Sequence, residues 1–205
     1  MTQIMYLKCE YRLDHNNQII TSNMMPDLNV DFYPNFLTSE LAKQWYLYLE
    51  SVIPHESRRN SLLFGDPGLI YSVTYRDNTT HREVTPWDYL PALPELKSLV
   101  EKVTEQKYTV CAMQRYANGS VGIAPHRDKE MVLGTRICGV SLGTTRTITF
   151  SKGNDLNVVP LSISLNSGSL YVMNPPTNQT RLHSIIKEPH VKGSRISLTF
   201  RDYRG

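Results

Sequence analysis

The chain has 205 residues, 40% of them hydrophobic and 20% charged, enough for one domain with a sizeable core and unlike the composition of a disordered chain. A formal net charge of +3 and a pI near 8.7 permit a polyanionic partner but exclude a protein held to nucleic acid by bulk charge alone. The three cysteines, Cys9, Cys111 and Cys138, lack CxxC spacing, no apolar run approaches transmembrane length, and Lys8 and Glu10 interrupt the N-terminus too early for a signal peptide; a soluble intracellular protein with buried free thiols and no membrane attachment is expected.

Residues 1 to about 30 mix polar and apolar types, with a turn expected at His15-Asn16-Asn17-Gln18 between two short strands and no catalytic role. Thr38-Ser39-Glu40 is a helix start, after which Leu41, Trp45, Tyr48, Leu49 and Val52 recur at helical spacing until Pro54. Aromatics so spaced belong to a core packed on a sheet rather than to a stacking platform. Between His55 and Pro91 the periodicity fades, and Arg58, Arg59, Arg76 and Arg82 are interleaved with Phe64, Tyr71, Tyr75 and Trp87. Basic groups beside aromatic faces can hold phosphates while a base is stacked; the plainer reading is a solvated loop with anchoring aromatics. His81-Arg82-Glu83 has a metal-ligand spacing, but its polar surroundings before Pro86 favour loop.

Pro91 to Val103 reads as a second helix, with proline at its start and its leucines on one side. From Tyr108 the period becomes two: Tyr108–Tyr116, Ile137–Ser141, Thr147–Phe150, Leu161–Leu165, Ser169–Met173 and Arg195–Arg201. Many short strands and two early helices indicate a sandwich or barrel with helices over one sheet.

Chemistry concentrates in Ala124-Pro125-His126-Arg127-Asp128-Lys129-Glu130. On an extended segment His126 and Asp128 point to one face, and with His183 they form a 2-His-1-carboxylate set, which binds non-haem Fe(II) and leaves positions open. With 6 histidines and 19 acids in the chain, chance alone yields roughly 0.6 His-x-acid matches, so the order of the parts carries the signal. After His183 come Arg195 and Arg201, six apart on one strand and hence on one face, where two guanidiniums can bind a dicarboxylate. His55, His81 and His190 lack such context and read as surface residues.

Arg115-Tyr116, His126 to Glu130, Val140 to Gly143, His183 and Arg195 to Arg201 together resemble the AlkB family of Fe(II)/2-oxoglutarate dioxygenases, from about Phe32 to Arg204. Phe64 to Tyr71 is similar to the base-covering lid of the nucleic-acid demethylases in that family. The fold expected is mainly β with flanking helices, a double-stranded β-helix of jelly-roll type, in one monomeric domain over residues 1–205 with 55–91 as the substrate lid. The resemblance implies Fe(II) at His126, Asp128 and His183, and 2-oxoglutarate bound through its distal carboxylate by Arg195 with Tyr116. It places Arg201 near the carboxylate at the metal end. Where the family reads Asn-x-Tyr, this chain has Gln114-Arg115-Tyr116. The implied reaction uses O2 to demethylate N-alkylated bases, such as 1-methyladenine or 3-methylcytosine, in DNA or RNA, releasing formaldehyde, succinate and CO2. Glu130 would contact the exocyclic amine and Arg58 and Arg59 the phosphates. Val73 stands where relatives carry a stacking aromatic, which leaves Tyr71, Tyr75 or Phe64 to cover the base. An alternative is the same chemistry on a protein side chain or small molecule, which would need no basic lid. A non-enzymatic jelly-roll module with a degenerate metal site is disfavoured because no ligand is missing.

Overall fold

The computed structural model describes residues 27–55, 59–75, 78–153 and 160–203. The turn expected at His15–Gln18, Cys9, Arg58 and Arg76 lie outside the described residues, as do the side chains of Arg59 and Tyr75.

A strand β1 (Asn29–Tyr33) precedes helix α1 (Ser39–Val52), whose first turn is capped by Thr38: its backbone is extended and its Oγ1 accepts the Leu41 amide. Ala42, Trp45 and Leu49 form the helix's buried stripe, while Val52 in the last turn is left exposed. Strands β2 (Arg59–Gly65), β3 (Ile70–Tyr75), β4 (Asn78–Glu83) and the short β5 (Thr85–Pro86) come next, followed by a 3₁₀ turn at Trp87–Tyr89. Helix α2 (Leu93–Thr104) has Pro94 in its first turn and ends at Glu105, which adopts the left-handed conformation. Then follow β6 (Val110–Tyr116), β7 (Ile123–His126), β8 (Ile137–Gly143), β9 (Arg146–Ser151), β10 (Leu161–Leu165), β11 (Ser169–Asn174), the single-turn α3 (Thr177–Thr180), β12 (Leu182–Ile185) and β13 (Arg195–Arg201).

Seven strands form the major sheet, in the order β1-β11-β8-β13-β6-β2-β5, and four the minor sheet, β10-β9-β12-β7. Strict alternation gives the major sheet two chemically different faces. Cys111, Met113, Cys138, Val140, Leu142, Ile196, Leu198 and Phe200 pack with Trp45, Leu49, Leu93 and Leu96 of the helices. The other face packs Val110, Tyr116, Ile137, Tyr171 and Met173 against Ile148, Phe150, Ile163, Leu165 and Ile185 of the minor sheet. The double-stranded β-helix with flanking helices is thus the architecture, and the candidate site lies between the sheets. Among the described residues no helix is long and apolar enough to cross a membrane.

The 55–91 region departs from the loop expected of it. β2 pairs with β6 over its whole length, from Arg59 opposite Tyr116 to Gly65 opposite Val110, so the stretch Arg59–Gly65 of the expected lid is a strand of the major sheet. Its neighbours Leu63 and Phe64 are buried on opposite faces; a strand covered on both sides reads as a continuous apolar run and hides its period. β3 and β4 form a hairpin, and His81-Arg82-Glu83 lies on its exposed β4, not in a loop. His81 bonds Ser72 Oγ through Nδ1 and, among the described residues, belongs to no group that could hold a metal.

Trp45 is completely buried between α1 and the major sheet. Trp45→Ala should lower the unfolding free energy by about 3–5 kcal/mol, the range for emptying a large aromatic site, as read from urea denaturation; a loss below about 1 kcal/mol would contradict its core role.

Candidate active site

β12 pairs with β7 so that His183 stands directly opposite His126, with their ring centroids 4.3 Å apart. His126 is the last residue of β7, and Asp128 follows where the ladder has ended. The Asp128 carboxylate turns back between the imidazoles, with Oδ1 3.8 Å from His126 Nε2 and Oδ2 3.9 Å from His183 Nε2. One ligand atom from each of the three lies within 4.8 Å of the others. His126 Nδ1 lies 2.9 Å from the Ala124 carbonyl, which can only accept; Nδ1 therefore carries the proton and Nε2 keeps its lone pair for a metal. Asp128 Oδ2 is buried with no hydrogen-bond partner. An anionic oxygen left unpaired beside two imidazoles is costly unless a cation arrives, so the donor set fits Fe(II).

Asp128 is held from two sides. Arg201 Nη2 reaches its Oδ1 at 3.0 Å, and the side-chain amide of Asn178 on α3 grips its backbone, accepting from the Asp128 N–H at 3.1 Å and donating to its carbonyl at 2.8 Å. Asn178 thus replaces the strand partner that Asp128 has lost. Arg146, fully buried on β9, donates to Glu188 and to the carbonyls of Asn118, Gly119, Val121 and Ile186, tying together the loops that flank β7 and β12.

Arg195 lies on β13, the strand that carries Arg201, and it is 1% exposed. Its Nε donates to Ser141 Oγ at 2.9 Å and its Nη2 to Ser197 Oγ at 3.2 Å, while Nη1 has no partner. Tyr116 packs under the guanidinium, 5.3 Å from its ring centroid, and donates its hydroxyl to Gln114 Oε1 at 2.8 Å. Among the described residues no carboxylate pairs with Arg195. Burial pushes its pKa down, yet an arginine does not give up its proton. The result is a buried cation waiting for an anion. Arg201 differs: although burial opposes its charge, Asp128 and the Tyr71 phenol outweigh that and hold its pKa above the usual range.

The other expected residues divide. Phe64 faces the helices, fully buried near Tyr89, and cannot cover a base; strand alternation gives the site face to Leu63. Tyr71 is mostly buried, tilted against Tyr203 at 4.6 Å and close enough to Arg201 to feel its charge, so it walls the site instead of standing free to stack. Glu130 is half-buried and close enough to raise the Tyr71 pKa, behind burial as the main cause. Trp87 stacks on Phe200 and donates to Asp66, which pins the connection after the hairpin. Three residues around the site escaped the sequence reading: Asn178, Tyr203, whose hydroxyl accepts the Ser72 amide, and Tyr171. Burial pushes the Tyr171 phenol up to about 12 in spite of Arg195 nearby. Its signal in the sequence was alternation alone, Ser169-Tyr171-Met173 on one face.

Residues 29–201 match the family model described as the 2OG-Fe(II) oxygenase superfamily. The DNA oxidative demethylase ALKBH2 of Mus musculus is 33% identical over 155 residues, covering 72% of this chain and 62% of that protein, and that of Homo sapiens 32% identical over 155 residues, covering 72% and 57%. The alpha-ketoglutarate-dependent dioxygenase alkB homolog 3 of Mus musculus is 29% identical over 188 residues, covering 84% and 65%. The chain spans 54% to 62% of the length of the ALKBH2 proteins of mouse, cattle and human. The solved structure of OsALKBH1 shares the fold, with a TM-score of 0.56 at 15% identity over 84% of this chain and 97% of that one.

His183 links this geometry to pH. Burial, with His126 and Arg201 adding to it, pushes its pKa down from 6.5 to about 4, so the folded chain keeps the imidazole neutral while the unfolded chain takes up a proton. The stability that follows is complete above about pH 6.5 and is lost as pH falls toward 4. In the metal-free protein, His183→Gln should remove about 2 kcal/mol of the stability lost between pH 7 and 5, measured as the difference between two urea series. Parallel losses in both proteins would contradict the assignment.

Proposed function

We propose that this chain, which belongs to the 2OG-Fe(II) oxygenase superfamily and is an AlkB-family member, is an Fe(II)/2-oxoglutarate-dependent dioxygenase that demethylates N-alkylated bases in nucleic acid. The observation that carries the reading is a pair of unmet charges on facing walls: the orphaned Asp128 Oδ2 among two imidazoles and the buried Arg195, whose Nη1 has no partner and which meets no carboxylate among the described residues. One calls for a cation and the other for an anion. A metal ion chelated by a dicarboxylate would satisfy both.

Bound Fe(II), 2-oxoglutarate and O2 supply the oxidation, in which succinate and CO2 form and the oxidised N-methyl group leaves as formaldehyde. The residues of the chain bind and orient. His126 and His183 offer neutral nitrogens, and Asp128 offers an oxygen while Arg201 and Asn178 keep it from turning away. Arg195 receives the distal carboxylate between Ser141 and Ser197, with Tyr116 and Gln114 closing that end. Arg201 Nε, buried and unpartnered, is available to the carboxylate at the metal end. Phe150, Ile148 and Leu165 keep water from this wall, which strengthens each charged contact.

His126 is the outermost of the three ligands, and the exposed hairpin carrying His81 and Arg82 rises beside Tyr71. This opening supports a base as the substrate, with Glu130 for its exocyclic amine and Tyr71 or Tyr75 beside it, while Arg58 and Arg59 serve the phosphates. The similarity to two DNA oxidative demethylases, those of Mus musculus and Homo sapiens, supports the same class. A base in duplex would have to be flipped out.

His126→Ala, Asp128→Ala and His183→Ala should each abolish formaldehyde release from methylated DNA and RNA oligonucleotides, because each removes one of only three protein ligands. Full turnover by any iron-loaded variant would sink the reading. Activity on an oligonucleotide should also fall with ionic strength, and Arg58→Ala with Arg59→Ala should flatten that dependence; equal turnover of the free methylated nucleoside, with no salt effect, would shift the reading to a small-molecule substrate. Arg195→Lys keeps the charge but loses the fork, and should weaken 2-oxoglutarate binding by about 1–3 kcal/mol in calorimetric titration; unchanged affinity would remove Arg195 from this role.

A further inference from the structure

Tyr171 on β11 stands opposite Gly139 on β8, and Gly139 opposite Thr199 on β13, a straight row across three strands. The tyrosine ring occupies the space a side chain at 139 would need: a Cβ there would lie 2.4 Å from Cε1, 2.6 Å from Cζ and 2.7 Å from Oη. The ring therefore lies over β8, with its hydroxyl end reaching across the glycine toward β13. Next to this row runs another of small residues, Ser169, Ser141 and Ser197, and on it the Arg195 guanidinium is fastened by Ser141 and Ser197 with Nη1 left over. Phenol and guanidinium occupy adjacent rows of one face. The two rows are completed by Gly139 and Thr199 and by Ser169, Ser141 and Ser197.

The neutral donor that the family resemblance points to is already engaged, since the only hydroxyl proton of Tyr116 goes to Gln114 Oε1. Tyr171 is mostly buried, and among the described residues nothing accepts from its hydroxyl. An O–H without an acceptor on a buried tyrosine, next to a buried cation that meets no carboxylate, is satisfied by one carboxylate. We propose that Tyr171 donates a hydrogen bond to the distal carboxylate of the 2-oxoglutarate held by Arg195, and so serves as a specificity residue for a dicarboxylate. The inference rests on the co-substrate reading above. The raised pKa of the phenol keeps its proton in place at neutral pH.

The test is a calorimetric titration of the Mn(II)-loaded full chain with 2-oxoglutarate, and with 2-oxopentanoate, the same five-carbon chain without the distal carboxylate. Tyr171→Phe retains the ring over Gly139 and removes only the hydroxyl. It should weaken 2-oxoglutarate about tenfold or more, as expected for a hydrogen bond to a charged group, and leave 2-oxopentanoate binding and the thermal midpoint unchanged. Gly139→Ala, whose new methyl group must displace the ring, should produce the same selective loss. Tyr171→Phe binding 2-oxoglutarate within about threefold of the wild type, or losing both ligands equally, overturns the inference alone. A wild-type chain that binds no 2-oxoglutarate overturns the co-substrate reading and this inference with it.

Discussion

The ion pair between Arg201 and Asp128, at 3.0 Å, joins the last strand of the major sheet to the segment that carries the carboxylate ligand, and the site depends on it. Without it Asp128 would be a buried carboxylate on a stretch that has just left its ladder, free to rotate toward solvent. With it, one oxygen is committed to Arg201 and the other is left facing His183. The pair spends a full charge on holding a geometry, an arrangement whose value lies in specificity more than in stability. Asn178 does the complementary work on the backbone.

The division of the major sheet into two faces makes this possible. On β13 the apolar Ile196, Leu198 and Phe200 face the helices, while Arg195, Ser197, Thr199 and Arg201 alternate with them toward the minor sheet. A one-residue slip would exchange the two sets and bury the arginines under α1 and α2. β13 is safe from such a slip because it lies between β6 and β8 and is hydrogen-bonded to both. The small residues of the inner face, Gly139, Ser141 and Ser197, make room for long side chains and for a ligand, at the expense of core packing there.

Much of this was legible in the sequence, and what was not has physical reasons. His126, Asp128, His183, Arg195 and Arg201 could be named because metal ligands and paired arginines are rare residue types in fixed order. The helices at α1 and α2 announced themselves by caps and period. β2 has no strand signal because Leu62, Leu63 and Phe64 serve both faces and conceal alternation, and for the same reason the sequence does not show that Phe64 faces away from the site. Asn178 and Tyr171 were invisible for another reason: each acts across a strand register or a tertiary gap. Asparagine after a proline pair is an ordinary turn residue until Asp128 is seen against it. Tyr171 is an ordinary core tyrosine until the glycine opposite it is known.

The two unmet charges also imply that the ligands of this site help one another. In the empty chain, Arg195 is desolvated with one N–H unbonded and Asp128 keeps one bare oxygen, so each contributes a cost to the folded state. On the proposed reading, a cation held by Asp128 would remove the second cost, and a dicarboxylate bound to it by its near end would remove the first through its far end at Arg195. Neither wall can be satisfied by the protein alone, because no acidic side chain reaches Arg195 among the described residues and Arg201 already occupies one oxygen of Asp128. The scaffold's own hydrogen bonds thus stop short of the site, and on the proposed reading the stability given up at these positions would be returned only with both ligands bound.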